Sequence, residues 1–310
     1  MMNAYPMSLR PVLRDYIWGG ERLHELFSRG EANTRIAESW ELSTLPQGSS
    51  VVENGAFAGR SLRDVLGGEL PVLVKLIDAA RPLSVQVHPS DETVLAENGE
   101  HGKNELWLIL SCREGASLYC GLTEPMSREK LRESAENNTL PSFLRRVEVH
   151  AGDIIPVPPG TIHAIGEGIV LAEVQQSSDT TFRLYDWGRL GADGKPRPLH
   201  LDRACAVARL TPDDAAVTSP VPSFRDGAGI IPLLKGEDFF SEKLSLDGET
   251  AVDARRAYRH LLVLSGRGEL RFDKKTIPLS PGASWFLPRG TGVCPLIGTM
   301  ELLVTGGKDE

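Results

Sequence analysis

Two histidines, a glutamate and a glutamine form the strongest chemical signal in the sequence. Gln86 and His88 are two residues apart in an apolar segment, so on a strand both side chains would lie on one face. Glu105 begins another apolar segment, where burying an unpaired carboxylate is costly. His163 follows a Pro-Pro-Gly turn that can direct it inward. Two imidazoles, one carboxylate and one amide oxygen suit a divalent transition metal, and zinc is the predicted ion.

Each of these residues also has a structural interpretation. Gln86 and His88 could be satisfied polar side chains at a strand end, and a single histidine such as His163 is more often structural than a ligand. Glu105 could form an ion pair with Lys103, two residues earlier on the same strand face. An amide ligand is unusual for zinc, and catalysis would require water or substrate to supply a fifth ligand.

Short β-branched and apolar segments, separated by glycine and proline, predict a mainly β fold of the sandwich or barrel type. The predicted strands are Ser50–Glu53, Pro71–Ile77, Leu83–His88, Leu106–Ser111, Arg146–His150, Ile154–Val157, Ile169–Gln175, Arg259–Leu264, Glu269–Phe272, Ser284–Leu287 and Met300–Thr305. Helices are few. We predict them at Glu21–Phe27, Ser127–Asn137 and Leu201–Leu210, the second with Ser127 as its N-cap.

Two copies of one sequence pattern indicate two related units. The segments 151–164 and 281–294 share two glycines, a proline and a threonine at equal spacing, and Leu108–Ser111 resembles Leu262–Ser265. The first copy is longer between these two motifs. The additional length coincides with the predicted helix, so we place a helical insertion at about 122–145 in the first copy.

The second copy lacks the candidate metal ligands. Val293 stands where the first copy has His163, and Arg259 stands where it has Glu105. The segment 211–229 is rich in proline, aspartate, serine and glycine and has no periodicity. We therefore predict a catalytic unit at 1–215, a linker at 216–229 and a degenerate unit without metal ligands at 230–310.

The composition limits the possible partners. The net charge of −8 argues against a nucleic-acid partner, because phosphate backbones repel acidic surfaces. No segment approaches the roughly 20 apolar residues that span a bilayer. The four cysteines form no Cys-x-x-Cys pair, which favours buried thiols in a reducing compartment and hence the cytoplasm. The oligomeric state is not predictable from these features.

Several separated motifs resemble, in the same order, the type I mannose-6-phosphate isomerases. They are YIWGG at 16–20, AESWELS at 37–43, LVKLIDAARPLSVQVHPSDE at 73–92, GKNELW at 102–107, VPPGTIHAIGEG at 157–168 and EVQQSSDTTFRLYDWGR at 173–189. The match extends roughly from Tyr16 to Arg209, and the length resembles the short bacterial form. The resemblance implies two cupin-type jelly-roll units, the second degenerate. It also implies one Zn²⁺ per chain and the interconversion of mannose 6-phosphate and fructose 6-phosphate.

The family motifs also imply roles for individual residues. The metal-binding motifs of the family fall on the same four residues, Gln86, His88, Glu105 and His163. The resemblance marks Arg183 as the catalytic arginine, and Lys103 and Glu173 as an active-site lysine and carboxylate. It places Lys75 and Ser84 near the substrate phosphate. One position departs from the family: many members have a tyrosine where this chain has Ile165, so the role of that tyrosine does not transfer.

The isomerisation moves a proton between C2 and C1 through an enediol, and an oxyanion develops beside the reacting carbon. A metal and Arg183 would stabilise that charge. The identity of the general base is left open, and the candidates are Glu173, Lys103 and a metal-bound hydroxide. Arg183 could instead form a surface ion pair with Asp179 or Asp186, and Lys75 could extend to solvent. Two other functions also fit the sequence: a cupin dioxygenase with iron on the same ligands, and a non-catalytic sugar-phosphate-binding cupin.

Overall fold

The computed structural model describes residues 4–93, 101–191, 193–212 and 217–309. The fold is mainly β, as predicted. The strands are β1 Met7–Arg10, β2 Val12–Arg14, β3 Glu38–Leu42, β4 Thr44–Leu45, β5 Gly48–Ser49, β6 Val51–Val52, β7 Val72–Ala79, β8 Val85–Val87, β9 Glu105–Cys112, β10 Ser117–Leu122, β11 Leu144–Glu148, β12 Ile154–Val157, β13 His163–Ala164, β14 Ile169–Gln176, β15 Phe182–Tyr185, β16 Ser223–Arg225, β17 Ala228–Lys235, β18 Phe239–Asp253, β19 Arg259–Phe272, β20 Lys275–Leu279, β21 Ser284–Leu287 and β22 Val293–Gly307.

The helices are short. They are α1 Arg22–Phe27, α2 Leu62–Leu66, α3 Arg128–Glu136 and α4 Leu201–Val207, with 3-10 turns at Gly55–Phe57 and Leu140–Phe143. The three predicted helices are confirmed to within a few residues, whereas α2 has too few residues to show a periodic pattern. In the described ranges, none of the helices has the length and apolar character needed to cross a membrane.

Two sheets of the first unit enclose an apolar core. One has the order β12-β9-β14-β7-β3-β2 and the other the order β11-β10-β13-β8-β15. Ile77 and Trp107 from the first sheet pack with Leu118 and Cys120 from the second in one buried cluster. Alternate residues of these strands therefore face inward, and the polar ones among them lie at the open end of the sandwich.

The six-stranded sheet is buried on both faces. Its outer residues, such as Val74 and Leu106, pack against Leu262 and Leu303 of a larger sheet. That sheet has the order β16-β17-β18-β22-β19-β21-β1-β6, and β20 pairs with β19. The outer face of the five-stranded sheet is covered by α3 and α4. The near-continuous apolar sequence of β7, β9 and β14 follows from this double burial.

Matching strand registers confirm the internal repeat. In the first unit β12 pairs with β9 so that Val157 lies opposite Glu105. In the second unit β21 pairs with β19 so that Leu287 lies opposite Arg259. Arg259 thus occupies the place of Glu105, and its guanidinium pairs with Asp309 at 2.7 Å.

The second half of the predicted linker is a hairpin and not an irregular segment. Ser223–Arg225 pairs with the start of β17 across a turn at Asp226 and Gly227, which have φ of 49° and 81°. The proline- and serine-rich composition concealed this pairing, because edge strands tolerate residues that central strands exclude. Residues 213–216 lie outside the described part of the chain.

The first strand of the chain joins the second unit. In β1, Met7 lies opposite Phe286 of β21, and Leu9 lies opposite Val52 of β6. One sheet therefore contains strands from both predicted units. The division at 216–229 stays a prediction.

Candidate active site

A cavity of about 320 Å³ opens between the two sheets of the first unit. It is lined by Tyr16, Trp18, Glu38, Lys75, Ile77, Leu83, Ser84, Gln86, Lys103, Glu173, Asp179, Thr181, Arg183 and Arg197. The structure thus brings five of the predicted catalytic and phosphate-binding residues into one cavity, namely Lys75, Ser84, Lys103, Glu173 and Arg183. Gln86 lines the same cavity.

The other three predicted metal ligands form a buried cluster. The candidate ligand atoms of His88, Glu105 and His163 all lie within 4.8 Å of one another. Glu105 Oε1 is 3.3 Å from His163 Nε2, and Glu105 Oε2 is 3.5 Å from His88 Nε2. These distances allow one ion to contact all three groups after small adjustments.

Backbone carbonyls orient both imidazoles. Nδ1 of His88 donates to the carbonyl of Thr180, and Nδ1 of His163 donates to that of Thr161, both at 2.9 Å. Because a carbonyl only accepts, each Nε2 carries a lone pair. That of His163 faces Glu105, and that of His88 faces both Lys103 and Glu105. Burial lowers the pKa of both histidines, that of His163 to about 4, so both are neutral at pH 7.

Two buried atoms in this cluster are both acceptors when Glu105 is ionised, and they face each other. Within the described ranges, Glu105 Oε1 and His163 Nε2 have no hydrogen-bond partner. Such a pair is costly unless a cation lies between the two atoms. The donor set and its orphaned atoms therefore fit a divalent metal ion.

Lys103 occupies the other side of Glu105. Its Nζ is 2.7 Å from Glu105 Oε2 and 3.2 Å from His88 Nε2. Burial raises the pKa of Glu105 even though Lys103 opposes that change. The ion pair that the sequence offered as an alternative is thus present. It engages one carboxylate oxygen, while the other faces His163.

Gln86 lies on the strand between His163 and Arg183. On β8 its backbone is opposite His163 on one side and Arg183 on the other. This position connects the metal cluster with the arginine that the family motif marks.

Lys75 is buried and does not extend to solvent, so that alternative is wrong. It lies opposite Glu173 in the pairing of β7 and β14, and its Nζ is 3.0 Å from Glu173 Oε1. Glu38 Oε2 is 3.8 Å away on the other side. Burial alone would raise the pKa of Glu173, but Lys75 and Lys103 outweigh it and lower that pKa below its ordinary value.

Arg183 is half-buried at the cavity wall and forms no ion pair with Asp179 or Asp186 among the described residues, contrary to the alternative interpretation. Asp186 pairs instead with Arg189 and Arg197, at 2.8 and 2.6 Å. The guanidinium of Arg183 donates through Nη1 to the carbonyl of Pro198 at 2.9 Å, and its buried Nε has no partner among the described residues, so it keeps donors for a ligand in the cavity.

Sequence reasoning did not assign roles to several lining residues: Tyr16, Trp18, Glu38, Asp179 and Arg197. The alternation of Glu38 and Trp40 in β3 is a signal that could have identified Glu38, because both face inward beside Lys75. Arg197 reaches the cavity from a loop, which carries no such periodicity.

Family models match both ends of the chain. Residues 7–106 match the catalytic domain of type I phosphomannose isomerase, and residues 230–306 match the cupin domain of mannose-6-phosphate isomerase. The predicted resemblance is therefore confirmed, including the cupin character of the C-terminal unit.

Whole-chain comparisons agree. The chain is 34% identical to a mannose-6-phosphate isomerase of Streptococcus mutans, and the match covers 99% of both chains. The crystal structure of mannose 6-phosphate isomerase from Bacillus subtilis has a TM-score of 0.88 and 33% identity, covering 97% of this chain and 99% of that one. A mannose 6-phosphate isomerase bound with zinc and yttrium has a TM-score of 0.79 at 21% identity, covering 98% of this chain and 100% of that one. The chain therefore belongs to the type I mannose-6-phosphate isomerases, which are aldose–ketose isomerases.

Proposed function

We propose that the isomerisation of mannose 6-phosphate and fructose 6-phosphate proceeds here through an enediol, with one Zn²⁺ bound by Gln86, His88, Glu105 and His163. The observation that carries this proposal is the pair of unsatisfied acceptors, Glu105 Oε1 and His163 Nε2, 3.3 Å apart in a fully buried position. Two neutral imidazoles and a carboxylate are common zinc ligands. The zinc-bound neighbour reported above shares this fold.

Stabilisation of the developing oxyanion is assigned to two positive charges. Bound zinc would supply a Lewis acid beside the reacting carbon atoms. Arg183 adds a guanidinium that stays protonated and presents its N–H donors in a fixed fork. Its place in the cavity lining, without an ion-pair partner among the described residues, supports this role.

Proton transfer between C2 and C1 is assigned to Glu173. Lys75 and Lys103 keep this buried carboxylate ionised in the free protein, so it carries no proton of its own, although the same two cations lower its pKa to about 2 and weaken it as a base. Lys103 Nζ lies 4.0 Å from Glu173 Oε1 and close to Glu105, where it links the base to the metal cluster. Lys103 would thus place a positive charge near the reacting centre and would not act as the base itself.

The substrate phosphate is assigned to the cavity near Ser84 and Arg197. Both residues line it. Arg197 pairs with Asp186, but Arg189 shares that carboxylate, so the group keeps a net positive charge and a planar set of donors that suits phosphate. The family motif also implied Lys75 here, but the two carboxylates beside its ammonium offset its charge. We therefore assign to Lys75 the role of keeping the carboxylate of Glu173 ionised.

Membership in an isomerase family favours this reaction over the iron dioxygenase and the non-catalytic binding protein.

The four cysteines, Cys112, Cys120, Cys205 and Cys294, are free thiols, which accords with a reducing compartment, and we propose the cytoplasm.

Metal removal tests the proposal. We expect chelator-treated protein to lose formation of fructose 6-phosphate in a coupled assay, and one equivalent of Zn²⁺ to restore it. Oxygen uptake and iron content serve as controls for the dioxygenase. Full turnover by protein that metal analysis shows to be metal-free would refute the metal-dependent mechanism.

A further inference from the structure

A buried row of charged and indole groups lies beside the cavity on the six-stranded sheet. Lys75 Nζ is 3.0 Å from Glu173 Oε1 and 3.8 Å from Glu38 Oε2. The indole N–H of Trp107 donates to Glu173 Oε2 at 3.1 Å, and that of Trp40 donates to Glu38 Oε2 at 2.7 Å. Each carboxylate that flanks Lys75 is therefore also held by one tryptophan.

Trp107 connects this row with the metal cluster. It lies directly opposite Glu173 in the pairing of β14 with β9, and it is fully buried. Its ring meets the imidazole of His163 at an interplanar angle of 72°, with 5.4 Å between the ring centroids. A buried indole N–H without an acceptor costs free energy. Neither Trp107 nor Glu173 can therefore rotate away from the other without destabilising the protein.

We infer that Trp107 is a positioning residue that fixes the carboxylate of Glu173 toward the substrate carbon. The inference rests on the proposed role of Glu173 in proton transfer. Lys75 holds one carboxylate oxygen and Trp107 holds the other, so together they define the plane of the group. With one contact alone, the broad terminal torsion of a glutamate would let that plane rotate. A base must lie within hydrogen-bond reach of the proton that it removes.

The substitution Trp107→Phe removes the N–H and keeps an aromatic ring beside His163. We expect kcat to fall by about tenfold or more, the loss that follows from deleting a hydrogen bond to a charged group. The KM and the zinc content should stay close to those of the parent. With mannose 6-phosphate deuterated at C2, the isotope effect on kcat should rise, because proton transfer then limits turnover more strongly.

A second variant excludes a folding defect. Replacing Trp107 by benzothienylalanine keeps the shape of the indole and removes only the N–H, and it should give the same fall in kcat. The control is Trp285→Phe. Trp285 lies on β21, opposite Ser8 of β1 and outside the lining of the described cavity, and its substitution should leave kcat and the isotope effect unchanged.

Two results would overturn the inference. One is an unchanged kcat and isotope effect in the benzothienylalanine protein. The other is a parallel loss of zinc and kcat, which would place the effect at His163. The substitution Glu173→Gln separates this inference from the proposed function. Full turnover by that variant refutes the role of Glu173 itself, whereas an inactive Glu173→Gln with a fully active Trp107 variant refutes only the positioning.

Discussion

Each side chain of the candidate metal cluster is fixed by a second group. Thr180 and Thr161 orient the two imidazoles, and Lys103 holds one oxygen of Glu105. Such partners set the tautomer and direction of a ligand before the metal binds. At the scale of single residues, the proposed mechanism therefore separates groups that would bind metal from groups that would act on the substrate.

The substitutions His163→Ala and Arg183→Ala test that separation. We expect His163→Ala to lose both zinc and turnover, because it removes a ligand. Arg183→Ala should retain zinc and lose about 100-fold or more in kcat, the usual cost of removing an oxyanion-stabilising donor. Metal analysis and the coupled assay on the same preparations give both values. Equal metal loss in the two variants would contradict the separate roles.

At the scale of elements, the insertion between the two repeat motifs stabilises the back of the five-stranded sheet. Helix α3 begins after Ser127, whose Oγ accepts a hydrogen bond from the N–H of Lys130 at 3.1 Å. Met126, Leu131 and Ala135 pack into the cluster that covers the outer face of the sheet. The cavity lies on the opposite face.

Removing the cap should therefore affect stability and not catalysis. We expect Ser127→Ala to lower the free energy of unfolding by about 1 kcal/mol, the usual cost of an N-cap. The kcat and the KM should be unchanged. Ser127→Asp keeps an acceptor and is the control, with stability near that of the parent. Denaturant unfolding with both variants measures this effect, and an equal loss in the Asp variant would argue against capping.

At the scale of the whole molecule, the two units share strands and buried polar contacts. Arg29 pairs with Glu41 at 2.6 Å and donates to the carbonyl of Gly282 in the second unit. His260 is fully buried in the second unit and lies 2.9 Å from the hydroxyl of Ser284. That hydroxyl donates to the carbonyl of Glu41 at 3.5 Å. His260 is thus buried close to the junction of the units.

The pKa of His260 predicts an acid-sensitive contribution to folding. Burial lowers this pKa to about 3, so between that value and the ordinary 6.5 the unfolded chain binds a proton that the folded chain does not. Stability is then lost as the pH falls below about 6.5, at up to about 1.4 kcal/mol per pH unit. We expect His260→Gln to flatten the dependence of unfolding free energy on pH between 6.5 and 4.

His150, whose side chain is 76% exposed, provides a control substitution, His150→Gln, measured over the same pH range. Parallel measurements on zinc-loaded protein separate this effect from protonation of His88 and His163. An identical pH dependence in the parent and in His260→Gln would show that His260 contributes nothing to acid sensitivity.

Much of the fold could be predicted, because turn residues and alternating apolar residues determine strands locally. Ile154–Val157 and Ser284–Leu287 were predicted to the residue. The predicted strands Arg259–Leu264 and Glu269–Phe272 instead form the single strand β19. Gly266 and Gly268 suggested a turn, but they allow β22 to approach closely. A Cβ on either would meet the carbonyl oxygen of Thr299 or Ile297 at less than 2.5 Å.

The sequence by itself determined the residue types of the candidate site, their order along the chain and the absence of the candidate ligands from the second repeat. Strand periodicity and family motifs are local properties, so Gln86, His88, Glu105, His163 and Arg183 could all be named in advance. Only the tertiary structure decided with which neighbour each charged side chain pairs. Lys75 pairs with Glu173 across two strands, Asp186 pairs with Arg197, and Trp107 meets both Glu173 and His163. Such contacts depend on strand register and sheet packing, which bring together residues up to about a hundred positions apart.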